Sequence, residues 1–475
     1  MQNLYQKTLH NFHTLNSYKI FSVLLFALSA TFVYLTFNRC FDNFFLGDEC
    51  YSILLSHMSL SSMLQETAID VHPPLYYILL RGLYLIFGDK PIAYHFSSFI
   101  PYVIIVVFSC TLIRKEFNLI TAFFVVVFVS FSNCGERYIL EIRMYSLASM
   151  FVLFAFYSLY FILKNNKNFY WCIFVLSSLG AAYTHYYALV SVSFFYITLI
   201  IYSFYRKELI KKTFFACIFT VIAYLPWFFY GLLGAFLRTV ESWWLSDIPT
   251  LDLIILFIFN YFFICIAFIL SILSFFILCR KSNTENRIWI FSGILAFIGT
   301  IAVAYTLSYT IRPYLQDRYI YPLVPVVFFI FGYCLSKFKY GTIISLLLIT
   351  VFFSFRVPAY YYSYYYKVSK SFCTSYFLET VKPAQNSKII TDDYHFKWTV
   401  LPYYYPNNKA LYLTDIVEYL DNSIDNIDSE TWLIWTHALS QDEMSKISKK
   451  GLTVKEVANY WFATDFRRAY KLTHK

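Results

Sequence analysis

Long apolar runs separated by short polar loops constrain this chain more than any other feature of its sequence. A run of about 20 apolar residues can cross a bilayer as an α-helix. The runs of that kind lie at 20–37, 91–113, 118–134, 142–163, 169–184, 186–205, 213–235, 251–279, 288–310, 319–335 and 341–357. Only 14% of the 475 residues are charged, against about 25% in soluble proteins. The chain is therefore predicted to be a polytopic α-helical membrane protein with about eleven spans.

Lysine and arginine residues lie at the ends of the apolar runs, and their positions predict a topology. The loops at 114–115, 164–167 and 206–212 are all basic, and short basic loops mark the cytoplasmic side of a membrane. The net charge of +10 is spread over such loops and not over one face, which argues against a nucleic-acid partner. The expected location is the cytoplasmic membrane, with the N-terminus inside and membrane lipid as the surroundings.

The first loop on the opposite side, residues 38–90, carries acids and an imidazole. Asp48 and Glu49 come first, and Asp70 and His72 follow, directly before two prolines. A charge at membrane depth costs about 2.5–3.5 kcal/mol or more unless it is paired or hydrated. An isolated Asp-Glu pair is more often a solvated loop pair. The second acid–imidazole group in the same loop favours a catalytic site.

Three further loops on the same predicted side carry charged or imidazole groups. Glu141 and Arg143 begin the fourth apolar run, and a structural ion pair between Arg137 and Glu141, four residues apart, is the alternative interpretation. His185 interrupts two apolar runs, and a buried structural histidine is the alternative there. Arg312 and Arg318 flank a short loop, and guanidinium groups match phosphate oxygens in a fork. Together these groups predict one pocket that binds a phosphate.

The chain is predicted to contain a transmembrane domain over 1–357 and a small extracytoplasmic α/β domain over 358–475. In the second domain, short strand-like and helix-like segments alternate from about residue 380, among them 387–393, 414–423, 431–437 and 440–451. In the first outer loop, residues 50–66 and 74–87 are amphipathic and too polar or too short to span a bilayer. They are predicted to be helices that lie in the plane of the membrane interface.

Five short motifs make the chain resemble the GT-C superfamily of lipid-dependent membrane glycosyltransferases. They read GDE at 47–49, DVHPPLYY at 70–77, EIRMYSL at 141–147, THYY at 184–187 and DRYIYP at 317–322. Within the superfamily, the chain is most similar to the branch called glycosyltransferase family 39 or RgtA/B/C/D-like. That branch is related to protein O-mannosyltransferases and to the aminoarabinose transferase of lipid A.

The resemblance implies inverting sugar transfer at the outer face of the membrane. The donor would be a sugar on polyprenyl phosphate, and the acceptor a hydroxyl of a glycan, lipid or protein. Asp48 would be the general base, and the catalytic group would also contain Glu49 and Asp70. The groups expected to bind the donor and its phosphate are His72, Arg143, His185, Arg312 and Arg318. The residues expected to line the substrate pocket are Glu141, Tyr145, Tyr187, Asp317 and Tyr319.

Two alternatives stay open in the sequence. Metal dependence varies across the superfamily, and Asp48, Glu49, Asp70 and His72 could bind Mg²⁺ or Mn²⁺, although metal-independent chemistry is favoured. A transporter or flippase of lipid-linked sugars would also have many spans. Transporters place polar groups at mid-span and repeat one half of the chain in the other, whereas the charged groups here lie at one membrane face. The sequence therefore favours an enzyme.

Overall fold

A computed structural model gives the fold of the protein. It describes residues 2–43, 45, 47–70, 72–234, 262–278, 283–311, 313, 315–365, 380–384, 386–413, 431–462 and 465–474. The chain divides into two compact units. The first, the membrane unit, comprises residues 1–41 and 58–353, and the second, the C-terminal unit, comprises 42–57 and 354–475. The domain boundary predicted between 357 and 358 stays a prediction, and the helix that contains it is continuous.

Fifteen α-helices of six or more residues precede the C-terminal sheet among the described residues, and a three-residue helix, Arg114–Glu116, lies among them. In chain order they are α1 (Gln2–Arg39), α2 (Gly47–His57), α3 (Leu60–Ile69), α4 (Leu75–Phe87), α5 (Pro91–Phe108), α6 (Leu119–Phe131), α7 (Asn133–Tyr138), α8 (Tyr145–Asn165), α9 (Asn168–Thr184), α10 (Tyr186–Tyr205), α11 (Ile210–Trp227), α12 (Phe262–Leu278), α13 (Thr284–Thr310), α14 (Val324–Leu335) and α15 (Gly341–Tyr365). A π-helical turn at Ser109–Ile113 extends α5, and another at Phe228–Leu232 extends α11.

Eight of the described segments are long and apolar enough to cross a membrane. They are Lys19–Arg39, Pro91–Glu116, Tyr145–Asn165, Tyr186–Tyr205, Lys207–Leu232, Thr284–Thr310, Asp317–Leu335 and Gly341–Tyr361. Each matches one of the predicted apolar runs. The three other predicted runs coincide with the shorter helices α6 and α9 and with α12, the described part of the run at 251–279. The protein is therefore a multi-pass membrane protein, as the sequence predicted.

Two helix starts and one loop differ from the predicted boundaries, and proline or serine accounts for most of the difference. The run predicted to begin at 319 starts as a 3₁₀ helix, Asp317–Leu323, because Pro322 and the next proline disfavour α-helix in the residues before them. The segment predicted at 50–66 is two helices, α2 and α3. Ser59 separates them and caps α3 by accepting a hydrogen bond from the Ser62 N–H. The fourth run begins at Tyr145, after a non-helical segment that belongs to the site described below.

Stacked aromatic rings pack around Trp289 in the core of the membrane unit. The indole of Trp289 is fully buried and donates its N–H to the Phe156 carbonyl oxygen at 2.9 Å. The Phe156 ring stacks on Trp289 at 4.5 Å between centroids, and the Phe117 ring stacks on it at 5.3 Å. Each such pair contributes about 0.5–1.5 kcal/mol beyond burial. Aromatic residues make up 23% of the sequence, and here their rings join α8, α13 and the loop before α6.

Helices α6 and α14 approach closely at Gly332, which gives a testable prediction for stability. A Cβ atom at this position would lie 2.9 Å from the Thr121 Cα atom and 3.1 Å from the Phe124 Cβ atom. Because the nearest atom is backbone, the helices must separate, and we expect Gly332→Ala to destabilise the protein by about 1–3 kcal/mol. Gly82→Ala is the matched control, since nothing lies within 4 Å of its added Cβ. Thermal unfolding in detergent measures both, and equal melting temperatures for Gly332→Ala and the wild type would contradict the packing argument.

The C-terminal unit contains a five-stranded mixed sheet. Its strands are β1 (Lys388–Thr391), β2 (Lys409–Tyr412), β3 (Thr431–Trp435), β4 (Leu452–Phe462) and β5 (Asp465–His474), in the order β2-β1-β3-β5-β4. Strand β1 pairs in parallel with β2 and β3, whereas β5 pairs antiparallel with β3 and β4. All five residues of β3 are buried, as expected for the central strand.

Short helices complete this unit and confirm the predicted α/β composition. They are α16 (Tyr394–Trp398), α17 (Val400–Tyr404) and α18 (Gln441–Lys449). A capping box begins α18, in which the Ser440 hydroxyl accepts from the Glu443 N–H and the Glu443 carboxylate accepts from the Ser440 N–H. The segment at 414–423, also predicted as an element of this domain, lies outside the described residues.

Candidate active site

Asp70 and His72 lie in the non-helical link between α3 and α4 of the membrane unit. Helix α3 ends at Ile69, and α4 begins at Leu75. The Pro73-Pro74 pair explains the break, because a proline disfavours helical backbone in the residue before it. The link turns His72 inward, where only 6% of the residue remains exposed.

A chain of hydrogen bonds runs from Asp70 to Tyr77 through two side chains. The His72 Nδ1 atom lies 3.1 Å from Asp70 Oδ2. The other ring nitrogen, Nε2, lies 3.2 Å from the Arg143 Nη2 atom, and Arg143 Nη1 donates to the Tyr77 hydroxyl at 3.3 Å. These four residues come from the α3–α4 link, α4 and the segment before α8. Three of them were predicted as site residues, and Tyr77 was not.

The partners of His72 fix its tautomer. A guanidinium group has only donors, so the His72 Nε2 atom must accept from Arg143. The proton of the neutral ring is then on Nδ1, where it is donated to the Asp70 carboxylate. Burial lowers the pKa of His72, and the nearby charge of Arg143 lowers that pKa further. His72 is therefore neutral at neutral pH.

Arg143 is held by a non-helical segment between α7 and α8. The Ser98 hydroxyl, on α5, donates to the carbonyl oxygens of Glu141 at 2.6 Å and Arg143 at 3.1 Å. These bonds satisfy carbonyl groups that a helix would otherwise use. The Glu141 carboxylate pairs with Arg137 Nε at 3.4 Å. The predicted ion pair four residues apart is thus present, but Glu141 and Arg143 precede the helix and are not part of it.

His185 separates α9 from α10 and uses its two ring nitrogens differently. Its Nδ1 atom accepts the Tyr187 backbone N–H at 3.1 Å and so caps α10. The proton of the neutral ring must therefore be on Nε2. That atom is buried and finds no hydrogen-bond partner among the described residues. Burial lowers the pKa of His185 strongly, and the neighbouring His72, Arg143 and Arg318 lower it further.

Tyrosine rings surround the two histidines. The His185 ring lies 5.2 Å from the Tyr319 ring, 5.7 Å from the Tyr187 ring and 5.8 Å from the Tyr145 ring, between centroids. The His72 ring lies 6.2 Å from that of His185 and 6.4 Å from that of Tyr319. The Tyr145 hydroxyl is buried and, within the described parts of the chain, lacks a hydrogen-bond partner. Two buried polar atoms, one on His185 and one on Tyr145, therefore belong to the same cluster.

Arg318 brings a second guanidinium to this cluster. It is half-buried, lies 5.6 Å from the centre of the Tyr319 ring and depresses the pKa of both histidines. The Asp317 carboxylate accepts the Arg318 backbone N–H at 2.7 Å, which stabilises the start of the 3₁₀ helix. Arg312, predicted as another phosphate ligand, lies outside the described residues.

Asp48 and Glu49 belong to the C-terminal unit, in the first turn of α2. Ionised carboxylates are favoured there by the helix dipole. Asp48 is half-buried, and its backbone carbonyl accepts the Ser52 hydroxyl at 2.9 Å. Glu49 is 6% exposed. Burial raises the pKa of the neighbouring Cys50 thiol, and the charge of Glu49 raises it further.

Within the described ranges, no group of three or more His, Cys, Asp or Glu side chains could hold a metal ion. The cation site that the sequence offered as an alternative is thus not found there. Two contributors to the described cluster had escaped the sequence analysis. Tyr77 lies in the DVHPPLYY motif and could have been suspected, whereas Ser98 lies in an apolar run and gives no sequence signal.

Comparison with known proteins agrees with this architecture. Residues 71–230 match a family model described as dolichyl-phosphate-mannose-protein mannosyltransferase. A search of curated proteins finds no match. The crystal structure of ArnT from Cupriavidus metallidurans in the apo state has a TM-score of 0.58 with this chain at 10% sequence identity. The match covers 94% of this chain and 97% of the ArnT chain. ArnT bound to undecaprenyl phosphate gives a TM-score of 0.60 at 11% identity, with the same coverage.

The matched region contains α4 to α11 and, with them, His72, Arg143 and His185. The structural likeness extends over nearly the whole of both chains. The fold class predicted from the sequence is thus confirmed, including the small C-terminal sheet domain. This chain is a polytopic membrane protein with the GT-C fold, and residues 71–230 match the model of a GT-C family of mannosyltransferases.

Proposed function

We propose that this protein is an inverting glycosyltransferase that uses a sugar on polyprenyl phosphate as its donor. The observation that carries the proposal is the cluster in which Arg143, Arg318 and the Nε2–H of His185 come together among buried tyrosines. Cations and an unsatisfied N–H in a buried, aromatic setting suit a lipid phosphate. The likeness to ArnT, which has been crystallised with undecaprenyl phosphate, supports the same ligand class.

The proposed role of the cluster is to stabilise the leaving group. When the sugar leaves polyprenyl phosphate, the bond between its anomeric carbon and the phosphate oxygen breaks, and negative charge develops on that oxygen. Arg143 and Arg318 would bind the phosphate, with His185 donating through Nε2–H to one of its oxygens. Preorganised donors of this kind are the largest contribution in many enzymes, because they need no reorganisation during the reaction.

Asp48 is the proposed general base. It would accept the proton of the acceptor hydroxyl as the hydroxyl oxygen forms a bond to the anomeric carbon on the face opposite the phosphate. One displacement of this kind inverts the configuration of the sugar. The assignment comes from the position of Asp48 in the GDE motif and from the family resemblance. Glu49, the next residue, is proposed to belong to the same catalytic group.

The proposed side of action is the outer face of the cytoplasmic membrane. The basic loops at 114–115, 164–167 and 206–212 support this orientation through the positive-inside rule. The residues proposed to bind the donor lie in loops that the same rule predicts on the opposite side. The acceptor would be a glycan, lipid or protein hydroxyl at that surface, and membrane lipid would surround the helices.

Binding of polyprenyl phosphate to the purified protein tests the proposal most directly. We expect undecaprenyl phosphate to bind the detergent-solubilised protein and to compete with a polyprenyl-phosphate sugar for transfer. A release assay should detect free polyprenyl phosphate only when both donor and acceptor are present. No measurable binding of undecaprenyl phosphate, and no turnover with any lipid-linked sugar, would contradict the proposed donor class.

Arg318→Ala is expected to raise the donor KM by about tenfold, because a hydrogen bond to a charged group contributes about 1.5–3 kcal/mol and this site is half-buried. The change should affect donor KM more than acceptor KM. Arg287→Ala, in the first turns of α13, is a control for the loss of a positive charge from a helix terminus. Equal donor KM values for Arg318→Ala and wild type would remove Arg318 from the phosphate site.

A further inference from the structure

We propose that His72 is a positioning residue that holds the guanidinium of Arg143 in place, and that it does not itself bind the phosphate. Asp70 acts with it by fixing the proton on Nδ1. This inference rests on the proposed function, because the group being positioned is the proposed phosphate ligand. It changes the roles expected from the resemblance, which put Asp70 among the catalytic acids and His72 among the phosphate ligands.

The geometry leaves His72 no donor for a phosphate. The Nδ1–H is directed to Asp70 at 3.1 Å, and Nε2 is occupied as an acceptor from Arg143 at 3.2 Å. A phosphate oxygen can only accept, so it cannot use a ring nitrogen that lacks a proton. His185 is the contrast within the same cluster, since its Nε2–H is buried and, in the described residues, has no partner.

Arg143 gains a fixed orientation from this arrangement. Its two terminal nitrogens bond to His72 and Tyr77, which come from the α3–α4 link and from α4. Its backbone carbonyl is held by Ser98 on α5. Ligands to a reactive group are commonly oriented by a second layer of hydrogen bonds, and loss of that layer costs about 10- to 100-fold in metal sites. A neutral histidine can orient an arginine without neutralising its charge.

Substitution by lysine and glutamine separates positioning from direct binding. A glutamine at position 72 offers an oxygen that can accept from Arg143 and an N–H that can donate to Asp70. A lysine offers only donors and a second positive charge, which faces Arg143. If His72 bound phosphate directly, His72→Lys would be the better tolerated of the two variants.

The experiment measures binding of undecaprenyl phosphate to the full-length protein in detergent at about pH 7.5. We expect His72→Gln to bind within about threefold of wild type and His72→Lys to bind at least about tenfold more weakly, since a hydrogen bond to a charged group is lost and like charges meet. His437→Gln, in the C-terminal unit, is the control for histidine replacement. Binding by His72→Lys that equals or exceeds binding by His72→Gln would overturn the proposal.

A second measurement uses pH and needs no ligand. Among the described residues, the charged and titratable groups around His72 include Asp70, Arg143, Arg318, the ring of His185 and Tyr319. Protonation of His72 would turn Nε2 into a donor that faces the donors of Arg143. Because burial lowers the pKa of His72 below its unfolded value of about 6.5, the unfolded chain binds the extra proton first. Stability is therefore complete above about pH 6.5 and is lost as pH falls toward the folded pKa.

The pH dependence of thermal unfolding thus separates failure of this inference from failure of the proposed function. We expect the melting temperature of wild type to fall more between about pH 7.5 and 5 than that of His72→Gln, because glutamine does not titrate. If undecaprenyl phosphate does not bind wild type but this difference is present, the donor class is wrong and the positioning role stands. Equal decreases in wild type and His72→Gln would contradict the positioning role.

Discussion

Asp48→Asn is expected to lower kcat for sugar transfer by at least about 100-fold, since general base catalysis contributes about 10²–10⁴-fold. Asparagine has nearly the same shape as aspartate but cannot accept the proton of the acceptor hydroxyl. Asp48 lies in the first turn of α2. The bond that its carbonyl accepts from Ser52 uses only the backbone of residue 48, so the helix should persist in the variant. The measurement is single-turnover transfer from a polyprenyl-phosphate sugar.

Donor binding separates a chemical role of Asp48 from a structural one. Asp48→Asn should bind undecaprenyl phosphate within about twofold of wild type, because a base for the acceptor is not a ligand of the phosphate. Asp442→Asn is the matched control: Asp442 lies in the first turn of α18 and pairs with Lys446 at 2.6 Å on the surface. Full activity of Asp48→Asn would exclude Asp48 as the base, and loss of both binding and fold would show that the residue is structural.

Arg143→Ala is expected to weaken donor binding more than any other single change in the membrane unit. Arg143 is 3% exposed, and removal of one partner from a buried, hydrogen-bonded charge pair costs about 2–5 kcal/mol. That range corresponds to a loss of about 30-fold or more in affinity. Arg143→Lys should have an intermediate effect, because a lysine keeps the charge but cannot bond in two fixed directions to Tyr77 and His72.

Two controls make the Arg143 result specific. Arg114→Ala removes an arginine whose Nε donates to the Cys110 carbonyl at 2.9 Å, at the end of the helical segment that includes α5. It should leave donor affinity unchanged. Gel filtration and thermal unfolding of Arg143→Ala would show whether the fold survives. A folded Arg143→Ala protein with wild-type donor affinity would contradict the phosphate site proposed here.

Local sequence properties predicted the helical framework well. Hydropathy is a property of neighbouring residues, so a helix lies at each of the eleven apolar runs in the part of the chain that the structure describes. The alternating pattern after residue 380 likewise predicted β1, β3 and α18. Helix starts were less predictable where one distant side chain decides them. The Ser98 hydroxyl holds the carbonyls of Glu141 and Arg143 from another helix, and nothing near those residues in sequence indicates it.

The structure brings together many of the residues that the sequence proposed for the site, but their roles stay predictions. The motifs at 70–77, 141–147, 184–187 and 317–322 meet in one cluster of the membrane unit, although they are far apart in sequence. Motif spacing cannot reveal which nitrogen of a histidine carries the proton. That depends on a hydrogen-bond partner from another segment, as for His72 with Arg143. The hydrogen-bond direction at His72 therefore had to wait for the structure.

The ring of His185 combines a folding task with the phosphate-binding task proposed for it above. Because Nδ1 receives the Tyr187 N–H, the helix start itself dictates that the opposite nitrogen carries a hydrogen. Asparagine or serine could cap the helix in place of His185, since both begin helices well. Neither would present an N–H at the position of the His185 Nε2 atom. A library screened for expression alone would thus accept variants at this position that have lost the second task. Selection at residue 185 should be made on sugar transfer and on yield together.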